Sequence, residues 1–337
     1  MKNIVSKICV LSVIFAGFVN AEQVNVYSGR QEALIKPLLD KFTKQTGISV
    51  NLVTGNADTL ISRLQSEGKY SPADMLISTD VGRLHRAKEQ GLTQAIDSEF
   101  LNARIAINYQ DPDKHWYALT LRARPIMYAP ERVNINQLSR LEDLTNAMWK
   151  GRICVRSSNN IYNQSMVAAM IEQLGEEATE TWVKGFVENF ARPPTGGDRD
   201  QIKAVAAGQC DIAIANTYYL AGMLSDQDEA TRKVAQKVKV LWPNQQDRGA
   251  HVNISGAAIT KYAPNKEAAV KLLEFMMTPD SQNWYATTNH EYPLLDGVEW
   301  SAVLKSFAPF KPEKIKLNRV GELNSEAVQL MDRAGWK

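Results

Sequence analysis

The spacing of hydrophobic positions along the chain changes repeatedly between two patterns. After residue 22, short apolar runs are followed by stretches in which apolar residues recur every three or four positions. The first pattern predicts buried strands and the second predicts amphipathic helices. Their alternation indicates a mostly parallel sheet with helices on its faces. In the first hundred residues the predicted strands are 23–27, 48–53 and 73–77, and the predicted helices are one that ends at Gly47 and two at 58–67 and 81–90.

Two long extended runs, residues 116–129 and 251–260, interrupt this alternation. After the first run the pattern restarts, with short strands and helices up to about residue 241. We therefore predict an α/β protein with the two-lobe architecture, in which two extended crossover strands join the lobes and a ligand cleft lies between them. The predicted N-terminal lobe comprises residues 22–120 and 256–295, and the predicted C-terminal lobe comprises residues 121–255 and 296–337.

The first 21 residues follow a different pattern. Lys2 and Lys7 precede an apolar run at 8–19, and Val-Asn-Ala at 19–21 resembles a cleavage site. This is typical of a secretory signal peptide, and the apolar run is too short for a membrane anchor. Cys9 lies well before the cleavage site, which argues against a lipoprotein. No later apolar run is long enough to span a bilayer, so we expect a secreted chain without stable membrane insertion.

The charge of the mature chain is close to balanced. The formal net charge of +2 at pH 7 becomes zero once Lys2 and Lys7 are removed. A neutral chain offers no electrostatic basis for binding nucleic acid or a membrane surface. Its length is sufficient for two lobes, each with its own core.

Two cysteines remain after the signal peptide, Cys154 and Cys210. In an oxidising compartment an even pair most simply forms one disulfide. Both lie in or beside short strand-like runs, so the bond would tie neighbouring strands of one lobe. Two buried free thiols are the alternative. A metal site is less favoured, because no histidine lies near either cysteine in the sequence.

Polar residues follow three of the predicted strands. They are 27–30 after the first strand, 157–163 after the strand that contains Cys154, and Tyr218-Tyr219 after an apolar run at 212–215. In such sheets ligands bind outside the carboxyl ends of the strands. If Thr217 caps the next helix, the tyrosine pair lies in its first turn, at the positive end that favours anions.

Several tyrosines in one cleft suit a hard, highly charged cation. A free phenol ionises near pH 10, but a bound trivalent cation displaces the proton well below that. Three phenolates, from Tyr162, Tyr218 and Tyr219, would cancel the charge of ferric iron. A small anion or water could fill the remaining coordination positions. Arg30 and Arg122 present planar donor forks that suit such an anion.

Simpler interpretations apply to the same residues. Adjacent tyrosines more often pack in a core or on a surface than bind metal, Tyr27 could simply pack, and Arg30 could form a salt bridge. The segment 196–200 lacks the Lys-Ser/Thr ending of a phosphate loop, so we interpret it as a turn with an aspartate that caps a helix. The four histidines have no zinc-site spacing, and no nucleophile motif supports a hydrolase.

Six short motifs nevertheless occur in a diagnostic order. Together they resemble the periplasmic ferric-iron-binding proteins, the substrate-binding subunits of iron ABC importers, over essentially the whole mature chain. Each motif is weak alone, whereas the ordered set is specific. The motifs are 27–31, 155–157 with 162–163, 196–201, 216–219, 253–256 and 290–293.

The resemblance implies a type II periplasmic-binding-protein fold whose lobes close on the ligand. It also implies that Tyr162, Tyr218 and Tyr219, which match the tyrosine ligands of the family, hold Fe³⁺. Many members of the family also use a histidine just after the first-strand motif. This chain has Gln31 and Glu32 there, and a role for either residue is left open.

The missing histidine makes the chain resemble the branch that uses three tyrosines and a synergistic anion, for which carbonate is expected. Arg30 and Arg122 match positions that hold this anion. We therefore predict a periplasmic binding protein, not an enzyme, that acts as a monomer and delivers ferric iron to an ABC permease in the inner membrane. The alternatives are a protein of the same fold for a small organic or oxyanion solute, with Ser157 as a further donor, and a secreted metal-dependent hydrolase.

Overall fold

The computed structural model describes residues 22–307 and 309–337. The predicted signal peptide, residues 1–21, lies outside the described residues. None of the helices in the described ranges is long and apolar enough to cross a membrane.

The strands form two separate sheets. The first sheet has the order β10-β4-β9-β3-β1-β2, with β1 parallel to both β2 and β3, and β9 antiparallel to β3 and β4. The second has the order β6-β7-β5-β8, with β6 and β7 parallel. The strands are β1 Gln23–Ser28, β2 Ser49–Thr54, β3 Met75–Thr79, β4 Tyr117–Ala123, β5 Ile126–Tyr128, β6 Ile153–Cys154, β7 Ile212–Ile214, β8 Lys239–Leu241, β9 Val252–Ile259 and β10 Tyr292–Pro293.

Helices connect and cover these strands. Short 3₁₀ turns, such as Glu32–Leu34 and Leu141–Thr145, occupy several of the remaining connections. The α-helices of the described residues are α1 Lys36–Thr46, α2 Ala57–Glu67, α3 Val81–Glu89, α4 Glu99–Asn102, α5 Ile161–Leu174, α6 Glu176–Glu188, α7 Asp198–Ala206, α8 Thr217–Leu224, α9 Glu229–Gln236, α10 Lys266–Met276, α11 Pro279–Thr288, α12 Ala302–Ser306, α13 Leu317–Glu322 and α14 Asn324–Arg333.

Local sequence signals fix the ends of several helices. Helix α1 ends at Gly47, whose φ of 77° lies in the left-handed region that glycine adopts without a steric penalty. Helix α2 begins after Asn56, whose side chain accepts hydrogen bonds from the backbone N–H groups of Asp58 and Thr59. These are the positions at which the periodicity predicted the boundaries to within a residue or two.

The first extended run is the crossing between the sheets. Its first part forms β4 in the first sheet and its second part forms β5 in the second, and Arg124 and Pro125 lie between them. The second run forms β9, which lies wholly in the first sheet, so the chain returns to that sheet before Val252. The boundaries predicted at 120/121 and 255/256 fall inside β4 and β9, and the division of the chain into lobes remains a prediction.

Both faces of the first sheet are covered by apolar side chains. Val24 and Val26 of β1 enter the large core, whereas Tyr27 points to the opposite face and packs with Leu60 and Leu64 of α2. Such two-sided burial is typical of parallel strands. It also determines which β1 side chains can reach a ligand.

The C-terminal helices contact helices that follow strands of both sheets. Helix α13 packs on α3 and on α5, whereas α14 packs on α5 and α6. Gly321 of α13 lies so close to His85 of α3 that an added Cβ would be 2.4 Å from the histidine Cβ. Only glycine permits this approach, which joins the tail to a helix that follows a strand of the first sheet.

The structure joins Cys154 and Cys210 in a disulfide with their Cα atoms 5.8 Å apart. This is the pairing expected from the two mature cysteines. Cys154 ends β6 and Cys210 lies just before β7, so the bond ties these two neighbouring parallel strands together.

Candidate functional site: tyrosines and arginines in the cleft

A cavity of about 180 Å³ lies between the two sheets. Its walls come from the segments that follow β1, β6 and β7, from the end of β3, from β4 and α7, and from the residues before β10. Five of the residues predicted for the site line this cavity, and so does Gln31. The lining residues are Gly29, Arg30, Gln31, Leu34, Thr79, Arg122, Tyr162, Arg199, Tyr218, Tyr219, Asn289 and Glu291.

The three tyrosines lie in the first turns of two helices. Tyr162 is the second residue of α5, and Tyr218 and Tyr219 are the second and third residues of α8. Because β6 and β7 are parallel neighbours, the helices that follow them begin at the same edge of the sheet. In the sequence, Tyr162 belongs to the polar stretch 157–163. Helix α5 already begins at Ile161, within this stretch, and fixes the backbone of the tyrosine.

The phenol rings are close to one another and to the opposite lobe. The ring centres of Tyr218 and Tyr219 are 4.3 Å apart. The hydroxyl of Thr79, at the end of β3 in the first sheet, lies 3.4 Å from the phenol oxygen of Tyr162. Tyrosines that follow strands of the second sheet therefore meet a residue of the first sheet across the cavity.

Asn216 occupies the N-cap position of α8, where the sequence suggested Thr217. Its side chain makes no capping bond, because its two polar atoms are used elsewhere. The amide nitrogen donates to the phenol oxygen of Tyr218 at 3.3 Å, and the amide oxygen accepts from Arg124 at 3.3 Å. The hydroxyl of Thr217 instead points to the carbonyl oxygen of Ala123.

Arg122 is the central cation of the cavity. Its guanidinium carbon lies 4.6 Å from the ring centre of Tyr162 and 4.5 Å from that of Tyr218. It also donates a hydrogen bond to the phenol oxygen of Tyr218. The side chain is buried, so water screens its charge poorly.

The three phenols have different pKa values, and the charge of Arg122 is a main cause of the difference. Burial acts to raise the pKa of Tyr162, but the charge of Arg122 and hydrogen bonds from Thr79 and Arg122 lower that pKa to about 7. Burial raises the pKa of Tyr218 well above its ordinary value. Burial, followed by the charges of Tyr162 and Asp198, raises the pKa of Tyr219 to about 12. Tyr162 therefore ionises first, and its negative charge disfavours ionisation of Tyr218 and Tyr219.

Glu291 is the residue that sequence reasoning missed. Its carboxylate accepts a hydrogen bond from Arg30 Nη2 at 2.5 Å and another from the hydroxyl of Thr120, and it lies 3.8 Å from Arg122 Nε. Burial acts to raise its pKa, but the charges of Arg30 and Arg122 lower it below the usual range. The cavity thus holds two cations and one fixed anion on its first-sheet side.

Both arginines keep a donor free. Within residues 22–307 and 309–337, the Nε atoms of Arg30 and Arg122 are buried without a hydrogen-bond partner. A buried, unsatisfied donor carries a free-energy penalty of about 1–3 kcal/mol. A ligand anion in the cavity could supply the missing acceptor.

Phenol oxygens are the most numerous hard donor atoms that the cavity offers, beside the carboxylate of Glu291. The same described ranges contain no group of three or more His, Cys, Asp or Glu side chains placed to hold a metal ion. Hard oxygen donors of this kind suit trivalent and other hard cations better than soft ones.

Comparison with known proteins identifies the family of the chain. The family model described as bacterial extracellular solute-binding protein matches residues 71–321. The chain belongs to this family. Together with the iron-binding relatives described below, this match confirms the resemblance drawn from the sequence and the two-lobe fold.

Relatives of this solute-binding protein are iron proteins by name. The iron uptake protein A1 of Synechocystis is 45% identical over 316 residues, which cover 94% of this chain and 88% of the relative. The structure of Trichodesmium FutA in complex with iron and citrate is 48% identical, with a TM-score of 0.90 and coverage of 94% and 100%. The ferric binding protein of Campylobacter jejuni is 37% identical, with a TM-score of 0.89 and coverage of 93% and 100%.

Two of the candidate residues lie outside the cavity of this solute-binding protein. The hydroxyl of Tyr27 donates to the carboxylate of Glu67 at 2.9 and 3.0 Å, on the sheet face that α2 covers. The hydroxyl of Ser157 accepts from the backbone N–H of Asn159 at 3.2 Å. Both hydroxyls are used in local hydrogen bonds, and neither residue lines the cavity, so the structure favours the simpler interpretation of Tyr27 as a packed residue and gives Ser157 no contact with the site. Glu32 is exposed and is also not among the lining residues.

Arg199 is a second residue that the sequence did not identify. It is exposed on α7, and its guanidinium carbon lies 5.2 Å from the ring centre of Tyr219 at the rim of the cavity. The segment 196–200 was correctly interpreted as a turn with a capping aspartate, since Asp200 accepts from the backbone N–H of Gly197. Helix α7 begins at Asp198, within the segment interpreted as a turn, so Arg199 lies in the first turn of the helix at the rim of the cavity.

Proposed function

We propose that this protein is a periplasmic binding protein that captures ferric iron with the phenolates of Tyr162, Tyr218 and Tyr219. The observation that carries the proposal is the convergence of the three phenols around Arg122 in one cavity. Membership of a solute-binding family, with relatives named for iron uptake and ferric-iron binding, supports the same conclusion.

Charge balance favours a small anion as the additional ligand. Three phenolates neutralise Fe³⁺, and Arg30 and Arg122 together exceed Glu291 by one positive charge. A compact anion such as carbonate or bicarbonate can accept hydrogen bonds from the free arginine donors while it coordinates the metal. Gln31 lines the same cavity and offers one more polar side chain.

The proposed role is transport and not catalysis. The phenols would bind iron from one side of the cleft, and Arg30 and Arg122 would hold its anion from the other, so the bound iron and anion favour the closed arrangement. We infer that the loaded monomer delivers iron to an ABC permease in the inner membrane. The predicted signal peptide and the extracellular family description support a periplasmic location.

The experiment is a titration of the iron-free protein with ferric ion in bicarbonate buffer. We expect a visible tyrosinate-to-iron charge-transfer band that is lost or strongly shifted in Tyr218→Phe and Tyr162→Phe. Tyr27→Phe is the matched control, because this tyrosine bonds to Glu67 away from the cavity. A colourless wild type, or an unchanged band in Tyr218→Phe, would overturn the proposal.

A second candidate function is the capture of a small organic or oxyanion solute without iron. The free Nε donors of Arg30 and Arg122 are the observation that favours it. Calorimetry with citrate, phosphate and bicarbonate in the absence of iron separates the two candidates. Tight binding of one of these anions by the metal-free protein would support the second, whereas anion binding that requires Fe³⁺ supports the first.

A further inference from the structure

A buried ion pair lies directly behind the tyrosines. The Nη1 atom of Arg124 is 3.0 Å from Asp198 Oδ2, and the two residues are 2% and 1% exposed. Neither is among the residues that line the cavity. Arg124 lies in the crossing between β4 and β5, and Asp198 is the first residue of α7.

The other donors of Arg124 reach both tyrosine-bearing turns. Nη2 donates to the side-chain oxygen of Asn163 at 2.6 Å, and Nη1 also donates to that of Asn216 at 3.3 Å. Asn163 directly follows Tyr162, and Asn216 precedes the tyrosine pair of α8. One planar guanidinium therefore spans the starts of α5 and α8.

Asp198 completes the network from the opposite side. Its Oδ2 accepts from the backbone N–H of Asn216 at 2.8 Å, and its Oδ1 accepts from Arg156 Nη1 at 3.3 Å. The side-chain nitrogen of Asn163 donates to the backbone carbonyl oxygens of Arg156 and Ser157 at 3.0 and 3.1 Å. The segments before α5 and before α8 are thus fixed to each other through side chains as well as through the disulfide.

We propose that Arg124 and Asp198 are positioning residues that set the separation between Tyr162 and the Tyr218-Tyr219 pair. The inference rests on the proposed function, since the separation matters only if one ion must contact all three phenols. A buried ion pair contributes little net stability once desolvation is counted, so stability alone explains it poorly. Groups that orient metal ligands typically affect metal affinity by about 10–100-fold.

The test uses the double variant Arg124→Gln/Asp198→Asn in the full mature chain. It removes the two fully buried charges together. Arg156, which also contacts Asp198, loses this partner, but its side chain is 21% exposed and can be solvated by water. We expect a folded iron-free protein, an affinity for Fe³⁺ that falls about 10–100-fold, and a shifted or weakened charge-transfer band. The single variant Asp198→Asn is expected to change iron binding in the same direction and to lose more stability.

The matched control is the pair Lys88 and Asp111. These residues form an ion pair of 2.9 Å in the other lobe, with the carboxylate fully buried. The variant Lys88→Gln/Asp111→Asn is expected to lower the melting temperature and to leave the iron band and affinity unchanged. A purely structural role for Arg124 and Asp198 would make the two double variants behave alike.

The outcomes separate this inference from the proposed function. Wild-type affinity and an unchanged band in Arg124→Gln/Asp198→Asn would overturn the positioning role. A wild type without any band would overturn the iron proposal instead. In that case, crystal structures of the iron-free wild type and of Arg124→Gln/Asp198→Asn test the positioning role. A changed separation of the Tyr162 and Tyr218 phenol oxygens in the variant supports it, and an unchanged separation refutes it.

Discussion

The guanidinium of Arg122 donates a hydrogen bond to the phenol oxygen of Tyr218. The same cation faces the ring of Tyr162, so two phenols compete for one buried positive charge. Only the first phenolate to form is fully stabilised by this charge, because a second phenolate would form beside the negative charge of the first. The site is therefore partly ionised before any metal arrives, and its acid-base behaviour can be measured without iron.

We expect one tyrosine of the iron-free protein to titrate near neutral pH. The pKa of Tyr162 is lowered to about 7, whereas the pKa values of Tyr218 and Tyr219 are raised. Near-ultraviolet absorbance of tyrosinate should show this step in the wild type and not in Tyr162→Phe. In Arg122→Gln the step should move above pH 10, because burial then acts without the cation. A neutral titration that persists in Arg122→Gln would contradict this prediction.

The same shift has a defined effect on stability. The folded pKa of Tyr162 lies below its ordinary value of 10.0, so folding favours the ionised form. Its contribution to the free energy of unfolding is full above pH 10 and is lost as the pH falls through about 7. We expect the difference in unfolding free energy between wild type and Tyr162→Phe to rise from pH 7 to pH 10. A difference that stays constant with pH would contradict the prediction.

Iron binding should release a pH-dependent number of protons. Above the pKa of Tyr162 this phenol is already ionised, whereas Tyr218 and Tyr219 still carry protons that the metal must displace. Binding is thus expected to release one more proton at pH 6 than at pH 8, and iron affinity should fall more steeply on the acid side of pH 7. Calorimetry in buffers of different ionisation enthalpy counts these protons. Equal proton release at both pH values would show that Tyr162 does not titrate in this range.

The fold and the tyrosines could be predicted because their signals are local. Apolar periodicity located most of the strands and helices, and Tyr162, Tyr218 and Tyr219 all follow strands that run in the same direction. Parallel strands bring such residues to one edge regardless of the details of packing. The extended run at 116–129 likewise identified the crossing between the sheets.

The residues that were missed or misplaced depend on non-local contacts. Glu291 directly precedes β10, which is only two residues long. It reaches the cavity because β10 pairs with β4, a strand that is far from β10 in the sequence. No periodicity marks so short a strand. Tyr27 was considered for the site because β1 ends at the cleft, but the alternation of side chains along β1 turns it towards α2. The position of Arg199 at the rim of the cavity follows from the start of α7 at Asp198, and helix boundaries are poorly determined by propensity alone.

Glu291 is expected to determine which anion accompanies the metal. In Glu291→Gln the net positive charge of Arg30 and Arg122 is no longer offset, so the preference should move from bicarbonate towards phosphate or citrate. One charge in a site of intermediate dielectric changes the ratio of anion affinities on the order of tenfold or more. Displacement titrations of the iron-loaded variant measure this ratio.

The same substitution should make the protein depend on added anion. Removal of one partner from a buried ion pair costs about 3 kcal/mol, because Arg30 is left without its carboxylate. An anion that binds both arginines should restore part of this stability, so the melting temperature of Glu291→Gln should rise more with phosphate than that of the wild type. Glu313→Gln is the control, since this buried glutamate pairs with His251 and does not line the cavity. An equal phosphate response in both variants would refute the assignment.

Removal of the disulfide should affect both stability and the site. The bond between Cys154 and Cys210 closes a loop with a sequence separation of 56 residues, and loop-closure entropy predicts a stabilisation of about 4 kcal/mol. It also ties β6 to β7, the strands that lead to Tyr162 and to the tyrosine pair. We expect Cys154→Ser/Cys210→Ser to unfold at lower denaturant concentration and to bind Fe³⁺ several-fold more weakly.

Reduction of the wild-type protein with dithiothreitol should reproduce both effects, whereas Arg124→Gln/Asp198→Asn should weaken iron binding without a comparable loss of stability. If the cysteine variant loses stability and keeps wild-type iron affinity, the side-chain network alone positions the phenols.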